Sequence, residues 1–320
     1  MGHSDSRKVA IIGCGFVGSA SAFALMQSGL FSEMVLIDSN QDRAEGEALD
    51  IAHGIPFAHP MNIYAGTYDD IVDAAVIVVT AGAGQKPGET RLDLVKKNVA
   101  IFGTIMPEIK KRHCTGILLI VANPVDILTY VAVKTSGMPE ERVIGSGTLL
   151  DSARLRYLLG EHLDVDPRSV HAWIIGEHGD SEFPVWSSAD VSGIPIDRIC
   201  EMRGHFNHEA KMKEIAEDVK NSAYTIIQKK KATYYGIAMS VVRLCTAIVR
   251  DEKSILPVST MQHGAFGIEG LCLSLPRIVC AQGVEAQVPI QLNEEEQQEL
   301  HRSADTLKKV IADAVPDDWE

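Results

Sequence analysis

A histidine in the second half of the chain is placed to carry a proton. His178 lies within the run Gly-Glu-His-Gly-Asp at residues 176–180. The pKa of a free imidazole is about 6.5, so this side chain can hold or release a proton near neutral pH. A histidine that only fills a loop or the core is the ordinary alternative. The glycine and acids around His178 favour a general acid and base.

Two charged residues upstream could support that histidine. Asp151 and Arg154 are three residues apart in a helix pattern, so they share a helix face. Arg154 could hold a substrate carboxylate with two parallel hydrogen bonds, and Asp151 could orient His178 and stabilise its protonated form. A surface ion pair of little energetic value is the alternative interpretation.

A glycine-rich turn near the start of the chain indicates a dinucleotide site. Gly13, Gly15 and Gly18 follow an apolar run and open a small-residue helix pattern. Such glycines permit a tight turn, backbone approach to a pyrophosphate, and helix–strand packing. Asp38 ends the next strand pattern, where an acid accepts bonds from ribose hydroxyls and disfavours a 2′-phosphate. The cofactor expected is therefore NAD; a purely structural turn is the alternative.

Further polar residues follow other strand patterns. Residues 81–91 form a segment rich in glycine and proline that ends at Arg91, and Asn123 follows the strand pattern at 117–121. Ligands of open α/β sheets bind at the carboxyl ends of the strands. Arg91 could fold over the site and polarise a carbonyl while the loop excludes water, and Asn123 could bond the substrate oxygen. A solvated connecting loop is the alternative for residues 81–91.

The elements that must position these residues fall into two groups. Up to about residue 145, apolar strand patterns alternate with helix patterns, at 8–12, 34–38, 75–79, 117–121 and 142–144 for the strands. Buried strands separated by helices predict a parallel, doubly wound α/β sheet. Beyond it, long helices at about 205–229 and 232–248, strands near 254–260 and 269–280, and a final helix at 293–313 predict an α+β substrate domain. We expect domains at 1–147 and 148–320.

Composition narrows the class of function. A net charge of −13 over 320 residues argues against nucleic acid and anionic membranes as partners. No targeting segment or membrane-length apolar run is visible, and six scattered cysteines form neither a disulfide framework nor a zinc site. A cytoplasmic enzyme without a metal is the expectation.

In combination, these motifs resemble the bacterial L-lactate dehydrogenases within the lactate/malate dehydrogenase superfamily. The resemblance runs from residue 8 to about residue 312. It rests on these runs: Gly-Cys-Gly-Phe-Val-Gly, Gly-Gln-Lys-Pro-Gly-Glu-Thr-Arg, Asn-Pro-Val-Asp, Leu-Asp-Ser-Ala-Arg, Gly-Glu-His-Gly-Asp and Ala-Thr-Tyr-Tyr-Gly-Ile-Ala.

The resemblance implies a Rossmann-type NAD domain and a role for each matched residue. His178 would be the proton donor and acceptor, paired with Asp151, while Arg154 binds the substrate carboxylate and Arg91 polarises the carbonyl. Asn123 and Thr233 would line the substrate site, and the Asn123–Pro124 peptide would be cis. The implied cofactor contacts, besides the glycines and Asn123, are Val17, Asp38, Tyr68, Gly82, Ala83, Ser146 and Ile237.

Gln85 decides which substrate the resemblance implies. Malate enzymes of the superfamily carry an arginine on this loop for the second carboxylate, whereas Gln85 is neutral. Burying an unpaired carboxylate is costly, so pyruvate and L-lactate are expected rather than oxaloacetate and malate. Thr233 also fits the lactate type. An ordinary solvent-facing Gln85 is the alternative.

Arg156 and His171 raise the prospect of a second anion site. Arg156 is two residues from Arg154, so its side chain diverges by about 200° and must face elsewhere. In bacterial relatives activated by fructose 1,6-bisphosphate, an arginine and a histidine at these positions bind a phosphate across a subunit interface. The resemblance therefore implies allosteric activation and a homotetramer, with a dimer as the alternative. A salt bridge at a subunit contact is the simpler role for Arg156.

Three rival interpretations remain open in the sequence. Tyr130 and Lys134 match the Tyr-x-x-x-Lys pair of short-chain dehydrogenases, but they fall in an apolar helix pattern where packing is the simpler role. His205 and His208, with Glu209, could hold a metal, although a charged helix usually presents a solvated face. An NAD-binding protein without turnover is the third, against which the intact set of charged site residues argues.

Overall fold

The computed structural model of the chain describes residues 7–84, 88–316 and 319. The strands in those residues are β1 (Lys8–Ile12), β2 (Glu33–Ile37), β3 (Asn62–Ala65), β4 (Val76–Val79), β5 (Ile117–Ile120), β6 (Val143–Gly145), β7 (Val170–His171), β8 (Ile174–Ile175), β9 (Phe183–Pro184), β10 (Asp190–Val191), β11 (Ile194–Pro195), β12 (Ser254–Ala265), β13 (Ile268–Cys280) and β14 (Gly283–Gln287).

The helices of the same residues lie between and after these strands. They are α1 (Phe16–Ser28), α2 (Gln41–Ala52), α3 (Arg91–Lys111), α4 (Val125–Thr135), α5 (Leu149–Leu163), α6 (Ile196–Met202), α7 (His208–Lys230), α8 (Tyr235–Val249) and α9 (Glu294–Ala314). None of the described helices is long and apolar enough to cross a membrane.

One sheet runs through the molecule in the order β14-β13-β12-β6-β5-β4-β1-β2-β3. The part from β6 to β3 is parallel throughout. Its strand order reverses at β1 and β4, and the crevice beside that point is where open α/β sheets bind dinucleotides. The fold thus prepares a ligand site at the carboxyl ends of β1, β4, β5 and β6.

The sheet is covered on both faces because successive side chains of a strand point in opposite directions. In β1, Ile12 packs into the core that contains Phe102 of α3, whereas Ile11 packs into the core that contains Leu25 of α1. Both faces of each central strand are therefore buried, and the strands are apolar without alternation. The expected doubly wound α/β sheet is confirmed.

The second half of the chain extends the same sheet. β12 and β13 form a long antiparallel pair, and β12 joins β6 where Ser259 lies opposite Gly145. A separate core around Leu159 of α5 and Val219 of α7 holds the substrate-side helices together. Since the sheet runs on past residue 147, the domain division at 147/148 stays a prediction.

Local details refine the sequence-based boundaries. Arg142, expected at the start of a strand, instead ends a short 3-10 turn, and its guanidinium Nη1 donates to the carbonyl of Thr115 at 2.7 Å. The helices expected from 205 and 232 begin at His208 and Tyr235. The Asn123–Pro124 peptide is cis, as expected.

Candidate active site

The glycine-rich turn between β1 and α1 is shaped by close backbone contacts. Gly13 has φ of +102°, and a Cβ on Gly18 would lie 1.8 Å from the Gly13 carbonyl oxygen. The hydroxyl of Thr80, just past β4, donates to that same carbonyl at 2.6 Å. A Cβ on Gly15, in contrast, would meet no described atom within 4 Å. Gly13 and Gly18 fix the turn, and Gly15 leaves open space at the start of α1.

Asp38 lies directly after β2 beside this turn. Its carboxylate accepts the backbone N–H of Cys14 at 2.7 Å and that of Asn40 at 2.9 Å. These bonds fix the side chain and leave lone pairs for hydroxyl donors, because a carboxylate can accept about four bonds. Open backbone at Gly15, a helix N-terminus and a fixed acid at the end of the next strand fit the pyrophosphate and ribose of NAD.

Asn98 of α3 ties together two strand ends where ligand contacts were expected. Its side-chain oxygen accepts the N–H of Ala83 at 2.7 Å, and its amide nitrogen donates to the Asn123 carbonyl at 2.7 Å. Gly82 lies beside the Asn98 side chain, and the Asn123 side chain remains exposed. Sequence reasoning missed Asn98, because its partners belong to two other segments that are distant from it along the chain.

The other expected cofactor contacts lie around the same crevice. Val17 of α1 and Ile237 of α8 are half-buried residues at the edge of one core, and these two helices pack together. Ser146 follows β6, and its N–H donates to Ile120 at 2.8 Å. Tyr68 is half-buried, and its ring lies 5.5 Å from the Arg112 guanidinium. Their proposed contacts with NAD remain predictions.

A chain of three charged side chains stands at the centre of the site. The His178 Nδ1 lies 2.6 Å from one carboxylate oxygen of Asp151, and the other oxygen accepts from Arg154 Nη1 at 2.7 Å. The Asp151 side chain is 1% exposed, whereas that of His178 is 24% exposed. The first turn of α5, which follows β6, therefore holds His178 by Nδ1 and leaves Nε2 available to a ligand.

Opposing effects set the protonation of this pair. Burial by itself would lower the pKa of His178, but the charge and hydrogen bond of Asp151 raise it well above the ordinary 6.5. Burial likewise favours a neutral Asp151, yet His178 and Arg154 lower the pKa of its carboxyl. These interactions favour an imidazolium paired with a carboxylate.

Two further buried carboxyls contact His178, and sequence reasoning missed both. Asp126 of α4 accepts the backbone N–H of His178 at 2.7 Å, and Glu182 Oε2 lies 3.7 Å from His178 Nδ1. Burial raises the pKa of each carboxyl to about 7. Asp126 is the last residue of the motif Asn-Pro-Val-Asp, and Glu182 follows His178 by four residues. Both therefore lie in or beside motifs that the sequence analysis had already singled out.

Arg91 is the first residue of α3 and faces the loop that carries the histidine. It pairs with Glu177 at 3.2 Å and also with Asp180, and its side chain is 56% exposed. Asp180 in turn accepts from the Tyr224 hydroxyl at 2.8 Å. Thr90 caps α3 with Asp93, which fixes the backbone just before Arg91. The guanidinium thus lies at the rim of the site, held by acids of the loop at 176–180.

Gln85 and Thr233 are the two remaining residues predicted to line the substrate site. Gln85 lies outside the described residues. Thr233 lies between α7 and α8 and is half-buried. The ring of its neighbour Tyr234 stacks on Phe16 at 5.5 Å between centroids, so this connection lies beside the glycine-rich turn.

Comparison with known protein families decides the relationship. Residues 7–145 match the lactate/malate dehydrogenase NAD binding domain, and residues 148–317 match the alpha/beta C-terminal domain of the same family. The chain belongs to the lactate/malate dehydrogenase family. Its N-terminal part is accordingly an NAD-binding domain, which agrees with the glycine turn and Asp38.

Individual relatives cover nearly the whole chain. An L-lactate dehydrogenase of Acetivibrio thermocellus is 52% identical over 95% of this chain and 96% of the relative, and one of Thermoanaerobacterium saccharolyticum is 54% identical over 95% and 98%. The ligand-bound minor L-lactate dehydrogenase of Enterococcus mundtii superposes with a TM-score of 0.93 at 45% identity, covering 96% of this chain and 98% of that chain.

Membership in this family removes the short-chain alternative, and the packing agrees. Tyr130 is 4% exposed within α4, and the Lys134 ammonium lies 5.4 Å from its ring centre. Both residues belong to an apolar helix in this lactate/malate dehydrogenase fold, so packing is their role.

The rival metal site at His205, His208 and Glu209 is not brought together either. Among the described residues, the group with metal-ligand spacing is Asp151, His178 and Glu182, and it does not include His205, His208 or Glu209. The His205 ring instead lies 4.1 Å from that of His162. In the group that does cluster, both Asp151 oxygens already bond His178 and Arg154, so we interpret it as a hydrogen-bonded proton site.

Arg156 and His171 lie away from the histidine pair. Arg156 is half-buried, contacts the Arg168 carbonyl at 3.5 Å, and its Nε has no partner among the described residues. Burial and the nearby Arg243 guanidinium lower the pKa of Arg156. His171 is exposed on β7. Their proposed role in binding a phosphate remains a prediction.

Proposed function

We propose that this chain is an NAD-dependent L-lactate dehydrogenase, which reduces pyruvate to L-lactate and reverses the reaction. The observation that carries the proposal is the Arg154–Asp151–His178 chain at the carboxyl end of β6, beside an NAD-binding sheet. Two relatives that are more than half identical bear the name L-lactate dehydrogenase. The chemistry needs one hydride, one proton and a carboxylate anchor, and the site holds residues for the latter two.

His178 supplies the proton in this proposal. Asp151 holds the imidazole through Nδ1 at 2.6 Å, so Nε2 faces the reacting oxygen. The raised pKa of His178 favours a protonated ring when pyruvate arrives, and the ring gives that proton to the ketone oxygen as the carbon is reduced. In the reverse direction His178 takes the hydroxyl proton of lactate. NADH, when bound, supplies the hydride.

The arginines orient and polarise the substrate. Arg154 retains donors beyond the one that bonds Asp151, because a guanidinium has five N–H groups; these bind the pyruvate carboxylate. Arg91 leaves its acid partners at the rim when the loop closes and donates to the ketone oxygen, where negative charge builds up. Asn123 and Thr233 border the substrate, and closure of residues 81–91 excludes water.

The test measures the oxidation of NADH by pyruvate through the decrease in NADH absorbance. Wild type is expected to reduce pyruvate. His178→Gln should have a kcat about 10²–10⁴-fold lower while still binding NADH, because only proton transfer is removed. Full turnover in His178→Gln, or none in wild type at any pH between 5.5 and 8, would refute the proposal. NADH binding measured by fluorescence reports separately that the variant is folded.

We further infer that the substrate is pyruvate rather than oxaloacetate. The inference rests mainly on Gln85, because a neutral side chain leaves a second carboxylate unpaired in a closed site, and Thr233 also fits the lactate type. Wild type should show the larger kcat/KM with pyruvate, and Gln85→Arg should shift the preference toward oxaloacetate. Gln85→Leu serves as the control, because it changes the side chain without adding a charge. A wild-type preference for oxaloacetate would overturn this inference.

We also propose activation by fructose 1,6-bisphosphate at Arg156 and His171. Support comes from the partnerless Nε of half-buried Arg156 among the described residues and from Arg243 nearby, since a phosphate would offset the repulsion between the two guanidinium groups. At subsaturating pyruvate, the sugar bisphosphate should lower the apparent KM at both pH 6 and pH 7.5. Arg156→Gln should abolish the response and leave activity without effector intact. No shift in KM at either pH would contradict the proposal.

A homotetramer in the cytoplasm completes the proposal, with a dimer as the alternative. A phosphate site shared between subunits requires at least two chains. Sedimentation equilibrium with and without the sugar bisphosphate measures the subunit count; a monomer of 34.8 kDa under both conditions would exclude a shared site.

A further inference from the structure

The side chain of Glu182 is unusual because it is ionisable, buried and not hydrogen-bonded at one oxygen. The residue is 7% exposed, and its Oε2 has no hydrogen-bond partner in the described part of the chain. Burying an unpaired carboxylate is costly. The nearest cation explains its position, because His178 Nδ1 lies 3.7 Å from that oxygen. Glu182 therefore compensates its burial through the charge of His178.

That contact is electrostatic rather than a hydrogen bond. The one hydrogen on His178 Nδ1 is directed to Asp151, 2.6 Å away. The separation of 3.7 Å between Nδ1 and the Glu182 oxygen is too long for a hydrogen bond. A carboxylate at this separation still favours the charged imidazole, because an opposite charge within about 4–6 Å stabilises the ionised form. Asp151 orients the ring and Glu182 adds a second negative charge beside it.

Counting charges shows why this matters during the reaction. With all groups ionised, Asp151 and Glu182 balance His178 and Arg154. Once His178 has given up its proton, the cluster carries an excess negative charge in a buried site. Burial and the neighbouring Asp151 raise the pKa of Glu182 to about 7, whereas His178 and Arg154 lower the pKa of Asp151, so Glu182 holds a proton more readily than Asp151. Other charged groups facing the loop are Asp126 of α4, bonded to the His178 N–H, and Glu177, paired with Arg91.

We propose that Glu182 is a positioning residue for the reaction: with Asp151 it stabilises the protonated imidazole of His178 and thereby extends productive pyruvate binding to higher pH. The proposal rests on the function proposed above, because it concerns the same histidine. It assigns to Glu182 an effect on KM for pyruvate above neutrality and little effect on kcat, since saturating substrate itself selects the protonated ring.

The test uses Glu182→Gln, which keeps the shape of the side chain and removes its charge. Steady-state rates from pH 5.5 to 9 should show the pH midpoint of kcat/KM for pyruvate moving about one unit toward acid. At pH 8 the variant should have a KM for pyruvate about tenfold above that of wild type, with kcat at pH 5.5 within about twofold. Glu182→Asp, which retains the charge, should have a pH midpoint between those of wild type and Glu182→Gln.

Glu296→Gln is the matched control. Glu296 is also a buried carboxylate, 6% exposed, but its oxygens bond Ser187 and the N–H of Asn293. Glu296→Gln should leave the pH midpoint of kcat/KM for pyruvate unchanged. A purely structural role for Glu182 would lower the thermal midpoint of Glu182→Gln without moving the pH profile, and that result would overturn the proposal.

A measurement independent of turnover distinguishes failure of the Glu182 role from failure of the proposed dehydrogenase function. With ¹³Cε1-labelled histidine, the NMR titration of His178 in the NADH complex should shift to lower pH in Glu182→Gln, and the missing peak in His178→Gln assigns it. An unmoved titration rejects the role of Glu182 even if Glu182→Gln is too unstable for kinetics at the pH extremes. Absence of pyruvate reduction with a shifted titration would reject the proposed function and keep the electrostatic role.

Discussion

At the residue scale, the site separates orientation from proton transfer. The Asp151 carboxylate uses one oxygen for His178 and the other for Arg154. One buried side chain therefore fixes both the ring that carries the proton and the guanidinium proposed to hold the substrate. Disturbing this carboxylate should affect binding and chemistry together.

Asp151→Asn tests this double role. An amide keeps the shape but removes the charge that raises the pKa of His178. We expect the pH midpoint of kcat/KM for pyruvate to fall by more than one unit and kcat/KM at pH 7 to fall about 100-fold, or roughly 2.7 kcal/mol. Stopped-flow single turnovers from pH 5.5 to 8 measure both. An unchanged midpoint would mean that Asp151 does not set the charge of His178.

Arg154→Lys tests the carboxylate clamp. Lysine keeps the positive charge but cannot make two parallel bonds to a carboxylate. Losing one charged hydrogen bond costs about 1.5–3 kcal/mol, so KM for pyruvate should rise roughly 10- to 150-fold. The dissociation constant of NADH, measured by fluorescence, should stay constant and serves as the control. A KM within twofold of wild type would remove Arg154 from the carboxylate site.

The sequence predicted some of these residues because their partners are close along the chain or lie in distinctive motifs. Asp151 and Arg154 share a helix turn, and the glycine-flanked His178 is conspicuous. Glu182 was missed because an ordinary surface glutamate has the same local pattern; only the fold shows that it is buried against His178. Asn98 was missed because its hydrogen bonds join segments that are distant in sequence.

At the element scale, the junction of β1 and α1 determines how closely a helix approaches the sheet. Gly18 packs against the Gly13 carbonyl, so α1 begins almost in contact with the preceding strand end. That approach directs the N-terminus of α1 toward the crevice. The geometry has no room for a side chain at position 18.

Gly18→Ala should therefore destabilise the protein, while Gly46→Ala should not. The added Cβ at 18 would lie 1.8 Å from a backbone oxygen, whereas one at 46, on the exposed face of α2, would meet no described atom within 4 Å. We expect a loss of about 3 kcal/mol and weaker NADH binding for the first, and a gain of about 0.5–1 kcal/mol for the second. Urea unfolding of both variants decides it; equal stabilities would contradict the packing argument.

Elements were predicted well where the pattern is local and poorly where pairing is distant. Uninterrupted apolar runs predicted five of the six parallel strands within a residue or two. They did not predict β3, the edge strand, whose residues are exposed or half-buried. The strands near 254–260 and 269–280 were also expected, but not that β12 would join β6 and continue the same sheet. That pairing brings together residues far apart along the chain, and no periodicity in the sequence records it.

At the scale of the whole molecule, an acidic protein must bind anions. The net charge is −13, and the proposed substrate, cofactor and effector are all negative. The arginines of the site and the N-terminus of α1 supply local positive potential, while several acids near the site are buried. Buried acids affect global stability as well, because the pKa of each differs between the folded and unfolded chain.

Asp126 should make the protein less stable as pH rises. Its pKa is raised from 3.8 to about 7 in the folded chain, so between these values the folded state binds more protons than the unfolded state. The free energy of unfolding then falls with increasing pH across this window, by at most about 1.4 kcal/mol per pH unit. Asp126→Asn removes this contribution, because its amide oxygen can still accept the His178 N–H without ionising.

We therefore expect the decrease in unfolding free energy between pH 5 and pH 8 to be about 2 kcal/mol smaller in Asp126→Asn than in wild type. Urea unfolding at one fixed protein concentration measures it, because assembly also contributes to stability. Asp305→Asn, on the exposed face of α9, should retain the wild-type decrease. His178, whose pKa is also raised, likewise makes the protein less stable as pH rises. A smaller decrease in unfolding free energy with pH should therefore persist in Asp126→Asn. Identical pH dependence in Asp126→Asn and wild type would show that Asp126 is ionised in the folded protein without cost.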